Sequence, residues 1–126
     1  MQTKWVKYLF IVAGLYDFIV GVAFLLWFKN IYNYFNITLP NHDGYIQFAA
    51  AVVTTFGIGF WFVAADPVRN RDIIKMGILL KTSYSSIVLG HWFAGNVPWV
   101  WVPWAWCDLG FLVLFIIALR SVSKEK

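Results

Sequence analysis

Four apolar runs, at about 5–28, 45–65, 72–93 and 98–119, each have the length that carries an α-helix across a bilayer. A helix rises about 1.5 Å per residue, so ~20 apolar residues cover the ~30 Å of hydrocarbon. No water reaches that layer, and each backbone N–H and C=O has to be paired within the chain. Helices meet that condition run by run. The expectation is an all-α fold, a four-transmembrane-helix bundle, with the runs filling most of a single integral membrane domain, 1–126. Composition argues against a soluble domain: 61% of the 126 residues are hydrophobic, and a domain this small has too little interior to hide them. The lipid bilayer is the expected partner of the outer faces.

Basic residues set the expected orientation. Lys4 and Lys7 flank the start of the first run, Arg69, Arg71 and Lys75 cluster between the second and third, and Arg120, Lys124 and Lys126 follow the fourth. In a four-helix topology these places share one side, and they hold eight of the ten Lys and Arg residues. The positive-inside rule then puts both termini in the cytoplasm, in a multi-pass protein of the cell inner membrane. Distributed this way, the net charge of +4 reads as topology and headgroup anchoring, and no nucleic-acid surface is expected. The first run is too long for a signal-peptide core, holds Asp17 at its centre and lacks a small-residue cleavage site, so it reads as a permanent helix.

The connections are short except for 29–44, on the outer side. There Ile31, Tyr34 and Phe35 fall on one helical face, the pattern of a short helix lying in the interface. Pro67 ends the second helix, and Asp72 is the expected N-cap of the third. Ala94-Gly95-Asn96-Val97-Pro98 reads as the turn between the third and fourth. Trp27, Trp92, Trp99, Trp101 and Trp104 read as an outer aromatic belt. Cys107, the single cysteine, excludes an intramolecular disulfide and reads as a small packing residue.

Three charges break the apolar pattern: Asp17, Lys81 and Asp108, each on a different run. A charge at mid-membrane costs ~2.5–3.5 kcal/mol on insertion scales, so such residues pair, line a wet cavity, or handle ligands and protons. Small residues mark the faces along which membrane helices pack. Asp17 lies on a stripe with Gly14 and Gly21, and Lys81 on one with Gly77 and Ser85, beside Tyr84. In the second helix Ala51, Thr55 and Gly59 make an uncharged small stripe; in the fourth, Trp101, Trp104, Asp108 and Phe115 share a face. All three charges fall at similar depth. They are expected to converge, one Asp pairing with Lys81 while charge balance assigns a proton to the other. The expected ligand-binding set is Asp17, Lys81, Asp108, Tyr84, Trp104 and His91. No metal site is expected: His42, Asp43 and His91 match no ligand spacing. Nor does any phosphate loop, nucleophile elbow or cofactor motif appear.

The run from Ala13-Gly14-Leu15-Tyr16-Asp17 to Phe24, the Gly77-to-Tyr84 stretch, His91-Trp92-Phe93-Ala94-Gly95-Asn96-Val97-Pro98-Trp99 and a last helix bearing Asp108 resemble small bacterial four-helix membrane proteins of the DoxX-like kind. The layout is also similar to the emopamil-binding fold, whose bundle uses buried acids. These resemblances imply a membrane bundle and carry over no ligand motif. Three functional readings follow. The first is a bundle whose buried Asp/Lys/Asp site binds a small lipid-like or amphipathic molecule, with proton-transfer chemistry open. The second is a proton-coupled small-molecule transporter, and the third an accessory subunit of a membrane complex. A purely structural clasp and a homo-oligomer also stay open at this point.

Overall fold

A computed structural model describes residues 4–95 and 99–124. They form four helices: α1 (Lys4–Tyr34), α2 (Asp43–Ala65), α3 (Arg71–Phe93) and α4 (Trp101–Ser123). All four are long and apolar enough to cross a membrane. Several hydroxyls on these helices are satisfied locally. Thr55, Thr82 and Ser83 face outward, and each donates to the carbonyl one turn back at 2.8, 2.7 and 2.9 Å. That bond lets a polar side chain sit on an otherwise apolar surface.

Two hairpins build the bundle. In the first, α1 and α2 touch through small residues: Gly14, Gly21 and Gly57 are all buried. A Cβ on Gly21 would fall 2.7 Å from the backbone nitrogen of Thr54, so only a bare Cα fits. Trp61 Nε1 adds a bond to the carbonyl of Ile11 at 3.3 Å. In the second hairpin α3 and α4 are laced by polar contacts, Ser85 Oγ to the carbonyl of Ala105 (3.3 Å) and Tyr84 Oη to that of Trp101 (3.2 Å).

The hairpins meet through aromatic rings. Phe10 stacks on Phe115 at 4.5 Å, and Phe60 meets both edge-on at 5.5 and 5.1 Å. Gly77 of α3 leaves the room these rings occupy, since a Cβ there would lie 2.7 Å from Phe60. Val6, Val63, Ala64, Ile74, Ala118 and Val122 complete a dry core around the trio. These residues come from the start of α1, the end of α2, the start of α3 and the end of α4, so this end of the bundle is closed. The α2–α3 turn caps it, with Asn70 Nδ2 donating to the carbonyl of Phe62 (2.9 Å) and Asp66 accepting from the Arg69 amide (3.2 Å).

Several local expectations change. α1 does not stop near Phe28 but bends at Trp27 (φ −127°, ψ 28°) and runs on to Tyr34, absorbing most of the expected interfacial helix. A Lys29–Asp43 ion pair at 3.6 Å joins this extension to the first turn of α2. Asn70, not Asp72, occupies the N-cap of α3; Asp72 sits in the first turn, where it pairs with Lys75 at 3.0 Å. The packing stripe of α2 runs through Ala50, Thr54 and Gly57, while Thr55 is exposed, because α1 approaches from the side where backbone contact is possible. Cys107 faces outward instead of packing inside. Asn96, Val97 and Pro98 of the expected outer turn lie outside the described residues.

Candidate functional site

Just above the dry core the charges converge. Lys81 Nζ donates to Asp17 Oδ1 at 2.9 Å and to Asp108 Oδ1 at 3.1 Å, so one ammonium joins α3 to both α1 and α4. The local reason is register. Gly14, Asp17 and Gly21 put Asp17 on the buried stripe of α1, and Gly77, Lys81 and Ser85 do the same for Lys81. On α4 the buried stripe is Ala105, Asp108, Phe115, Ala118 and Val122. Rings close around the ammonium: Nζ lies 5.4 Å from the centroids of Tyr16 and Phe111 and 5.8 Å from that of Phe60. Cation–π attraction of this kind is worth more where water is excluded.

The three side chains are not equivalent. Lys81 and Asp17 are 1% and 3% exposed, whereas Asp108 is 11% exposed. Asp17 Oδ2 and Tyr16 Oη are buried without a hydrogen-bond partner. A buried polar atom left unpaired costs about 1–3 kcal/mol, and it persists where other contacts hold it in place. The clasp therefore has hydrogen-bonding capacity that the fold does not use.

Above it, toward the end opposite the dry core, lies a cavity of about 430 Å³ whose floor includes Asp17, Lys81 and Asp108. Its size falls in the ~300–1,000 Å³ range of small-molecule sites. All four helices contribute, and most of the wall is apolar or aromatic: Val20 and Phe24 from α1, Ala49 and Val53 from α2, Leu80 from α3, Trp101 from α4. Tyr32 and Tyr45 stand at the rim beside Pro40.

Five of the six expected site residues meet here: Asp17, Lys81, Asp108, Tyr84 and Trp104 all line the cavity. His91 does not; it is exposed in the last turn of α3, beyond the lining. His42 serves as the N-cap of α2, its Nδ1 accepting from the Gly44 amide at 2.9 Å. Sequence reasoning missed Tyr16, Tyr32 and Tyr45. Tyr16 was adjacent to the flagged Asp17, and ring contacts with Trp104 (5.8 Å) and Phe111 (5.3 Å) turn it toward α4. Trp101 and Trp104, expected in the interfacial belt and also on the Asp108 face, follow that face inward.

Compared with protein-family profiles, curated proteins and solved structures, the chain matches none. What stands is an all-α bundle of four membrane-length helices around a buried Asp–Lys–Asp cluster.

Proposed function

We propose that this protein is a multi-pass inner-membrane protein, with both chain ends on the cytoplasmic side, that binds a small lipid-like or amphipathic molecule in the cavity. Asp17, Lys81 and Asp108 form the polar end of the site, and Tyr84 and Trp104 belong to its walls. One observation carries the reading: an apolar cavity ends on a buried ion cluster whose hydrogen bonds are incompletely used. A clasp serving packing alone calls for dry side chains on every side, as Phe10, Phe60 and Phe115 provide below it. Here one face of the clasp borders open space.

The closed end favours binding over passage. A transporter needs a path on both sides of its site, and the Phe10–Phe60–Phe115 plug occupies one of them. The DoxX-like layout fits a small bundle of this kind and adds nothing about the ligand.

Organic extraction of the purified protein followed by mass spectrometry tests the reading. A hydrophobic molecule in near-stoichiometric amount is expected with the wild type and depleted in a folded Asp108→Asn variant. Equal amounts of the same lipids from both proteins, in bulk membrane proportions, would overturn it.

A further inference from the structure

The cavity has one unsealed side. Toward the chain ends it is stopped by the dry core. The α1–α2 seam is shut by backbone contact at Gly14, Gly21 and Gly57. The α1–α4 seam is filled by rings, Phe24 on Trp101 at 5.5 Å and Tyr16 on Trp104 at 5.8 Å. The α3–α4 seam is laced by Tyr84 and Ser85. Over the top, Tyr32 leans on Trp101 at 5.7 Å and Phe35 on Trp99 at 5.6 Å.

The α2–α3 seam differs along its length. Tyr45, Ala49, Val53, Phe56 and Phe60 follow one another at helical spacing on a single face of α2. At the closed end, Phe60 is buried against Gly77 of α3. At the other end, Tyr45 and Ala49 line the cavity and yet are exposed. Across the gap, among the described residues, no hydrogen bond or ring contact joins this part of α2 to α3. The two helices touch near their shared turn, where Phe60 packs on Gly77, and leave the cavity open beside Tyr45 and Ala49. Both are of membrane length, so an opening between them is one toward the bilayer.

From this geometry we infer that the ligand is a neutral long-chain alcohol that enters from the bilayer between α2 and α3, hydroxyl first, and hydrogen-bonds to Asp108. The inference rests on the cavity being the binding site and adds the route and the head-group class. The entry side follows from the seams. The head group follows from the floor, where Asp108 is the most exposed member of the clasp. The Lys81 ammonium already donates to Asp108 at 3.1 Å and to Asp17 at 2.9 Å, so both carboxylates that a cationic head would seek already share a cation. A carboxylate head would meet Asp17 and Asp108 together. A hydroxyl both donates and accepts, so it pairs with Asp108 whether or not that side chain carries the proton.

A photoreactive, diazirine-bearing hexadecanol tests this with the full chain in lipid nanodiscs, the labelled residues being mapped by mass spectrometry. Labels are expected on Val53, Leu80 and Tyr84, displaced by excess hexadecanol but not by hexadecylamine or hexadecanoic acid. Ala49→Trp, or the milder Ala49→Leu should the first misfold, is expected to reduce them to the background of lipid-facing sites. Undiminished cavity labelling in both folded variants would overturn the lateral route and leave the binding site standing. Displacement by the amine or the acid as effective as by the alcohol would overturn the head-group class. Labels confined in every protein to outward residues such as Ile19 and Ile117 would remove the cavity reading itself, and this inference with it.

Discussion

Gly14 of α1 and Gly57 of α2 lie so close that a Cβ added to Gly14 would come within 2.8 Å of the Gly57 carbonyl oxygen. Backbone meets backbone here, and no side-chain rotation can relieve an added methyl group. In a bilayer the hydrophobic effect does not drive helices together, so dispersion contact between closely fitted surfaces has to. Gly57→Ala is expected to push α2 off α1 and to destabilise the bundle by about 1–3 kcal/mol, the usual range for overpacking. Gly110→Ala is the matched control. Nothing lies within 4 Å of a Cβ there, and an outward helical glycine replaced by alanine gains roughly 0.5–1 kcal/mol. Unfolding in detergent should move the two variants in opposite directions; equal shifts would show that the glycine contact does not set stability.

The ammonium of Lys81 should matter more to the fold than any other single polar group. Lys81→Met leaves Asp17 and Asp108 buried together with no cation. Removing one partner of a buried ion pair typically costs about 3–5 kcal/mol. Replacing all three, as Lys81→Met with Asp17→Leu and Asp108→Leu, removes the charges along with the deficit and is expected to recover most of that loss. The unfolding midpoints should therefore rank wild type and triple variant close together, with the single variant well below. A triple variant as unstable as Lys81→Met would mean that the charges themselves hold the helices in place.

Much of this arrangement was legible beforehand because bilayer burial leaves strong marks. The four apolar runs, the stripes carrying Asp17 and Lys81, and the Asp108 face all appear in the bundle. Spacing says less about which of two small stripes a helix uses. On α2, Ala51–Thr55–Gly59 and Ala50–Thr54–Gly57 are both plausible, and only the approach of α1 selects the second. Depth in the membrane also misled for Trp101 and Trp104, since an indole near the interface can turn inward as easily as outward. The cavity depends on how the four helices are spaced, which no local pattern encodes. His91, expected in the ligand-binding set, sits in the last turn of α3, outside the cavity lining.

Asp17 and Asp108 should separate into a structural and a ligand-facing role. Both aspartates line the cavity, but Asp17 has only 3% of its side chain exposed against 11% for Asp108. Either Asn substitution keeps one carboxylate on Lys81. Asp17→Asn is expected to lower the unfolding midpoint while the remaining folded protein retains its ligand. Asp108→Asn is expected to weaken ligand retention about tenfold, the value of a hydrogen bond to a charged group at the lower end of its range, with a smaller loss of stability. Measuring both properties on both variants decides the matter. Identical profiles for the two would mean that the aspartates are interchangeable parts of a clasp.

The orientation can be read with the native cysteine as its own control. Cys107 faces outward next to the buried Asp108, in the second turn of a membrane-length helix, where the proposed orientation sets its thiol among acyl chains. A charged, membrane-impermeant maleimide is therefore expected to leave the wild-type protein unmodified in intact cells and in inverted vesicles alike. In a Cys107→Ser background, Thr38→Cys probes the α1–α2 connection and Ser123→Cys the end of α4, both at exposed positions. Lys4, Lys7, Arg69, Arg71, Lys75, Arg120 and Lys124 gather at one end of the bundle, which the proposed orientation sets in the cytoplasm. Thr38→Cys should react from the periplasmic side and Ser123→Cys only after the membrane is opened or inverted. The opposite pattern would place the cavity half of the bundle in the cytoplasmic leaflet, and the alcohol would then have to be drawn from that leaflet instead.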